Sequence, residues 1–130
     1  MAEGQEILVP TSIGELIDKI TILSIKREKI LDEAKRANVL TELDRLMERA
    51  MEHKIDHLLA SAEGNRLREV NLALWEVEDD IRAHEKQADF GPSFIALARS
   101  VYRLNDERSR LKRAMNIAAG SLLVEEKSFD

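Results

Sequence analysis

Residues Ile7 to Ile30 read ILVPTSIGELIDKITILSIKREKI. Residues 6–9, Glu-Ile-Leu-Val, are suited to a short extended segment, and Pro10 stops it and disfavours helix at Val9. Ser12 and Glu15 then match a capping box, in which the serine side chain accepts from the third helical amide. A helix is therefore expected from Ile13, running to about Arg36. Stepping 100° per residue places Ile13, Leu16, Ile17, Ile20, Leu23 and Leu31 on one face. Ile22 and Ile25 fall off that face, so this helix is apolar on two sides and needs several neighbours.

The rest of the chain agrees with an all-helical reading. Asn38 is the first break signal after this helix and a candidate N-cap for a second one, from about Val39 to Ser61. A single helix bent near Asn38 is the alternative. Inward positions would be Val39, Leu43, Leu46, Met47, Ala50 and Leu58, with Gly64 as the C-terminal cap. A third helix is expected from about Asn65 to Ala88, with Leu67, Val70, Leu74, Val77 and Ile81 inward. Asp89-Phe90-Gly91-Pro92 is the clearest turn. A fourth helix then runs to about Ala118, with Phe94, Leu97, Ala98, Val101, Leu104, Leu111 and Met115 inward and Gly120 closing it. A polar tail, 121–130, follows. The expected fold is all-α: an antiparallel bundle of about four helices with a short extended N-terminal segment, forming one domain over 1–130.

Composition narrows the chemistry. The chain has 130 residues, 44 % hydrophobic and 35 % charged, with only 4 % aromatic, which suits long helices around one core. A net charge of −5 argues against general nucleic-acid binding. There is no cysteine, which excludes disulfides, thiolate nucleophiles and Cys-ligated metal. The opening MAEGQEILVP is acidic and lacks a signal peptide's apolar stretch, and no run approaches the ~18 apolar residues of a membrane span. The reading is a soluble, cytoplasmic protein with no membrane association.

Three constellations carry the functional readings. Polar groups fall on faces that should be dry: Ser24 and Arg27 on the first helix, Asn71, Glu78 and Glu85 on the third, Asn105 and Arg108 on the fourth. Buried charge must pair or meet a ligand. Arg27, Glu78 and Arg108 would form an internal network that fixes helix register. Alternatively, Ser24, Arg27, Glu78, Asn105 and Arg108 would line a pocket for a small anionic metabolite, with the arginines forking carboxylate or phosphate. Second, Arg99, Arg103, Arg110 and Arg113 form a ridge on the fourth helix, beside Tyr102. That ridge would face solvent, pair with the acid-rich third helix, or recognise an anionic partner. Nucleic acid is the least favoured such partner, because no binding motif surrounds the ridge. Third, His53 and His57 stand four apart, the spacing of two zinc-binding imidazoles. Lys54 occupies the place where a protease motif needs glutamate, and neither a metal nor any other cofactor is expected. Trp75 reads as a packing anchor, or as an interface residue if exposed. No Gly-rich phosphate loop and no nucleophile elbow are present.

Long blocks of the chain resemble a small bacterial family of unknown function. They are V-P-T-S-I-G-E-L-I-D-K-I-T-I-L-S-I-K (Val9 to Lys26), F-G-P-S-F-I-A-L-A-R-S-V-Y-R-L-N-D-E-R (Phe90 to Arg108) with L-K-R-A-M-N after it, and the tail V-E-E-K-S-F (Val124 to Phe129). The resemblance implies a bacterial source, a compact helical protein and, for some relatives, an association with glycosyltransferases or surface polysaccharide. It supplies no catalytic residues. G-E-L-I-D-K-I is also faintly similar to the start of helical chorismate mutases, but Gly14, Glu15 and Leu16 stand where that family carries a basic residue. The expectation is thus an uncharacterised, non-enzymatic module that binds a protein partner or itself as a homodimer. The anion pocket is the alternative, and nucleic-acid contact through the ridge the third reading.

Overall fold

The computed structural model describes residues 4–128. Its elements are α1 (Ile13–Lys29), α2 (Glu33–Glu52), a 3-10 turn (Asp56–Ala60), α3 (Ala62–Lys86) and α4 (Pro92–Ala119). The expected all-helical class is correct, and no strand occurs among the described residues. Gly4 to Thr11 are non-helical and exposed. The segment is tied down by Glu6, whose carboxylate accepts from Arg45 Nε (2.9 Å) and Nη2 (2.6 Å).

α1 is the organiser. Ser12 Oγ accepts from the Glu15 amide at 3.0 Å, as the capping box predicts. Glu15 itself does not close the box; its carboxylate takes Lys112 Nζ at 2.8 Å. Leu16, Ile20 and Leu23 pack with Val39, Leu43 and Ala50 of α2, and Ile17 packs with Leu67 and Met115. Ile25 is also buried, so the helix is covered on two sides as its sequence implies.

Several boundaries differ from expectation. α1 ends at Lys29, and α2 starts at Glu33 with Asp32 as its cap, accepting from the Lys35 amide at 2.9 Å. Asp caps as well as Asn does, and Glu33 adds an acid to the first turn. Asn38 therefore lies inside α2, the helices are separate, and Leu31 is 88 % exposed rather than inward. α2 stops at Glu52, where Lys54 adopts a left-handed φ of 58°. The chain then makes the 3-10 turn, and Ser61 caps α3 by accepting from the Gly64 amide. Gly64 thus opens α3 instead of closing α2; a Cβ there would collide with the Leu58 carbonyl. Gly120 closes α4 at φ 73°, as expected.

α3 and α4 make the most extensive helix pair. Leu67, Val70 and Leu74 are buried as expected, but of the seven positions expected inward on α4 only Met115 is. No residue between Leu74 and Met115 is buried. The outer part of this hairpin is an arm that no third helix covers.

Candidate functional site

At the base of the hairpin α1, α3 and α4 meet around Asp18, whose side chain is wholly buried. Arg108 grips it with two parallel bonds, Nε to Oδ1 at 2.9 Å and Nη2 to Oδ2 at 2.5 Å. Asn71 Nδ2 donates to Oδ1 at 3.0 Å, and Arg108 Nη1 reaches Asn105 Oδ1 at 3.4 Å. The Asp18 hydrogen bond raises the Arg108 pKa further, against the opposing effect of burial. A planar fork facing a carboxylate is the strong form of ion pair, and here it joins three helices at one depth.

Asn105 and Arg108 come together as the pattern of inward polar residues suggested, and Asn71 joins them. Other members of that set do not. Arg27 and Glu78 are exposed, Glu78 facing Arg82 at 3.8 Å, and Ser24 bonds to the Ile20 carbonyl of its own helix. The network expected from Arg27, Glu78 and Arg108 is therefore replaced by one of Asp18, Asn71 and Arg108, and the five residues assigned to an anion pocket do not converge. The end of α1 lies instead at the base of α3, where Glu28 pairs with Arg68 at 2.9 Å, and Glu78 stands further out. Asp18 was missed, although a signal existed. It lies four residues before Ile22 and seven before Ile25, on the second apolar side of α1, so a carboxylate there had to find an arginine. Among the described residues every buried side-chain nitrogen and oxygen has a hydrogen-bond partner.

A second polar cluster surrounds the start of α1. The Gly14 amide donates to Asn116 Oδ1 (2.6 Å), and the Ile13 amide to Ser121 Oγ (3.1 Å). Ser12 Oγ donates to Glu125 Oε1 (2.5 Å), and Asn116 Nδ2 to Glu125 Oε2 (3.2 Å). Burial opposes ionisation of Glu125, but the bonds from Ser12 and Asn116 and the charge of Lys112 prevail and hold its pKa below the usual carboxylate range. Gly14 allows the approach: a Cβ there would strike the Lys112 carbonyl oxygen of α4. The tail therefore caps α1 and is not merely a solvated end. It continues along α4, where Glu126 pairs with Arg113 and Lys127 with Asp106 at 2.9 Å. Phe129, the final aromatic of the tail motif, lies outside the described residues.

The arginine ridge is thereby divided. Arg113 is taken by the tail, and Arg110 lines a hollow of about 490 Å³ beneath it. Arg99 and Arg103 lie further out, exposed, and neither has a carboxylate partner among the described residues. Both instead surround Tyr102. The hydrogen bond and charge of Arg103, with the smaller effect of Arg99, hold the Tyr102 hydroxyl below the usual phenol range. The expected pairing with acidic α3 is not made by Arg99 or Arg103 among the described residues. Among the described residues the two helices are joined by a pair of the opposite polarity, Arg66 of α3 with Glu107 of α4 at 2.7 Å.

A broad groove of about 1100 Å³ lies between the N-terminal segment, α1 and α2, lined by Leu8, Val9, Leu16 and Leu46 and by Lys19 and Arg49. His53 ends α2 and His57 lies in the 3-10 turn beyond left-handed Lys54, so they do not share a helix face. No group of three or more His, Asp or Glu residues that could hold a metal occurs among the described residues. Nor is any helix among them long and apolar enough to cross a membrane.

Neither the comparison with curated proteins nor that with solved structures gave a match. A family model does match, over residues 7–130, which takes in both polar clusters, the arm and the capping tail. The chain belongs to the family of unknown function DUF6165.

Proposed function

We propose that this protein is a non-enzymatic interaction module whose docking surface is the outer half of the α3–α4 hairpin. One observation carries the reading. Asn71, Glu78 and Glu85 recur every seven residues along a single line of α3. Asn71 is 6 % exposed because α1 and Arg108 cover it, whereas Glu78 and Glu85 on the same line are exposed. The seat on which α1 rests thus continues outward with nothing on it. Ile95 and Tyr102 flank that continuation on α4, each more than half exposed, and Trp75 is half-buried beside it. Large side chains in one exposed tract mark interaction surfaces more often than scattered ones do.

The interior polar groups support the same view. Arg108 is held by Asp18, and Glu125 by Ser12 and Asn116, so both act in building the fold. The test is a photo-crosslinking residue at Ala98, which is exposed on this face, introduced in cells that make the protein. A discrete covalent adduct is expected. The same level of adducts from Ala98 as from an exposed position on α2, such as Lys35, would reject the docking surface.

A further inference from the structure

We infer that the outward line of α4 docks an acidic, carboxylate-rich segment of a partner protein, laid along the helix as the chain's own tail is. The surface lies on the side of α4 that faces away from α1, so the inference does not rest on the docking face proposed above.

Arg99, Arg103, Arg110 and Arg113 fall on one line of α4, because steps of four, seven and three residues return a helix to the same side. Arg108 and Met115, which meet Asp18 and Ile17 of α1, lie on the other side. Asp106 is the acid on the outward line, and Lys127 takes it at 2.9 Å. The line is therefore cationic, although the whole chain carries −5. Its arginines suit carboxylates, since a planar guanidinium meets a carboxylate with two parallel bonds.

The structure already holds one acidic segment on this line. Residues 124–127 read Val-Glu-Glu-Lys and run back along α4. Glu125 meets Asn116, Glu126 meets Arg113 and Lys127 meets Asp106, so each step along the tail comes nearer to the arm. A non-helical segment is thus seated antiparallel on the helix, with a carboxylate on a guanidinium. The occupied half of the line ends at Asp106. Beyond it Arg103 and Arg99 continue the same line, both exposed and neither with a carboxylate partner among the described residues. They surround Tyr102 instead, and the Arg103 guanidinium carbon stands 5.8 Å from the centre of its ring. A neutral phenol gives a guanidinium far less than a carboxylate does. An acidic segment continuing the path of the tail would meet both arginines, with the Tyr102 ring and hydroxyl beside them. A nucleic acid suits the line less well. One tyrosine offers a single stacking ring, and Asp106 and Glu126 stand in the path of a phosphate backbone.

Fluorescence anisotropy of a labelled oligo-glutamate peptide, titrated with the purified chain, tests this. Binding is expected in low salt and should weaken as ionic strength rises, because exposed charges are screened. Arg99→Ala with Arg103→Ala should weaken it roughly five- to tenfold. Lys29→Ala with Lys35→Ala removes the same charge from exposed positions on α1 and α2, and should leave binding nearly unchanged. Glu126→Gln frees Arg113 for the peptide and should tighten binding about two- to fivefold. Cooperative melting by circular dichroism in all three variants shows that the fold is intact. No binding in low salt, equal losses in the two double variants, or a peptide indifferent to Glu126→Gln overturns the inference. A single-stranded oligonucleotide of equal charge that binds more tightly than the peptide also overturns it, and assigns the line to phosphate.

Discussion

The two halves of the α3–α4 hairpin are built from the same helices and the same heptad, yet they solve opposite problems. At the base, α1 lies across both helices, and every polar group it covers has a partner: Asp18 takes Arg108 and Asn71, Gly14 takes Asn116, and Ser12 takes Glu125. In the arm the same faces meet solvent, and charges that could pair across the helices do not. The base is specified by buried geometry. The arm is specified only along its seam, and its faces are left exposed. The contrast shows that a continuous amphipathic pattern does not say how many layers will cover it. That number is set by where the neighbouring helix crosses, and the end of α1 stays at the base, with Glu28 paired to Arg68 at 2.9 Å.

Breaking the base should have the largest effect. Arg108→Ala strands the Asp18 carboxylate in the interior, which should cost about 3–5 kcal/mol, measured by urea denaturation. The double change Asp18→Leu with Arg108→Met removes both charges and should recover most of that loss, since an apolar replacement of a buried pair is often neutral. Equal destabilisation in the single and double variants would mean that the site is held by shape rather than by charge balance. Gly14→Ala comes next. Its methyl group must push α1 away from the Lys112 carbonyl, at a cost of about 1–3 kcal/mol. A wild-type melting temperature would show that α1 and α4 can part freely there.

A smaller effect is expected from Glu125→Gln, about 1 kcal/mol at neutral pH, because the site is partly open to solvent. The sign of its pH dependence is fixed by the lowered pKa. A carboxyl that ionises more readily when folded stabilises the protein above its ordinary value, here 4.5, and that contribution fades as pH falls through the lower folded value. The difference in melting temperature between wild type and Glu125→Gln should therefore shrink in acid. A gap that persists at pH 2 would point to packing instead. Smallest of all is the effect of Glu78→Arg with Glu85→Arg in the arm, whose shift in melting temperature should not be measurable because both side chains are exposed.

Much of the fold was legible because local signals agreed. Ser12 capped α1, Pro92 opened α4 and Gly120 closed it. The break between α1 and α2 was misplaced because two good caps, Asp32 and Asn38, stand close together, and helical propensity does not choose between them. The tertiary contacts chose: with the break at Asp32, Val39 and Leu43 reach the α1 core. The polar junction was half legible. Asn71, Asn105 and Arg108 stood out as polar on apolar lines, but nothing local says which helix supplies their counter-charge. The helix rotation implied by one face of α1 pointed to Arg27, and the second face, where Asp18 lies, was the one that mattered. The tail's role was illegible, because Glu125 acts on a residue 113 positions earlier and carries no periodic pattern of its own.

That last contact also has a meaning in time. Of the four helices α1 is made first, and its own cap, Ser12, together with its contacts to α2, needs only the next few dozen residues. The Ile13 and Gly14 amides find their partners only at Ser121 and Asn116, and Ser12 finds its acceptor only at Glu125. Contacts that span nearly the whole chain raise its contact order and come late on a folding pathway. The helix that organises the bundle is therefore the one whose completion waits longest. A nascent chain lacking its last turns would present the most apolar segment of the protein with its leading end open.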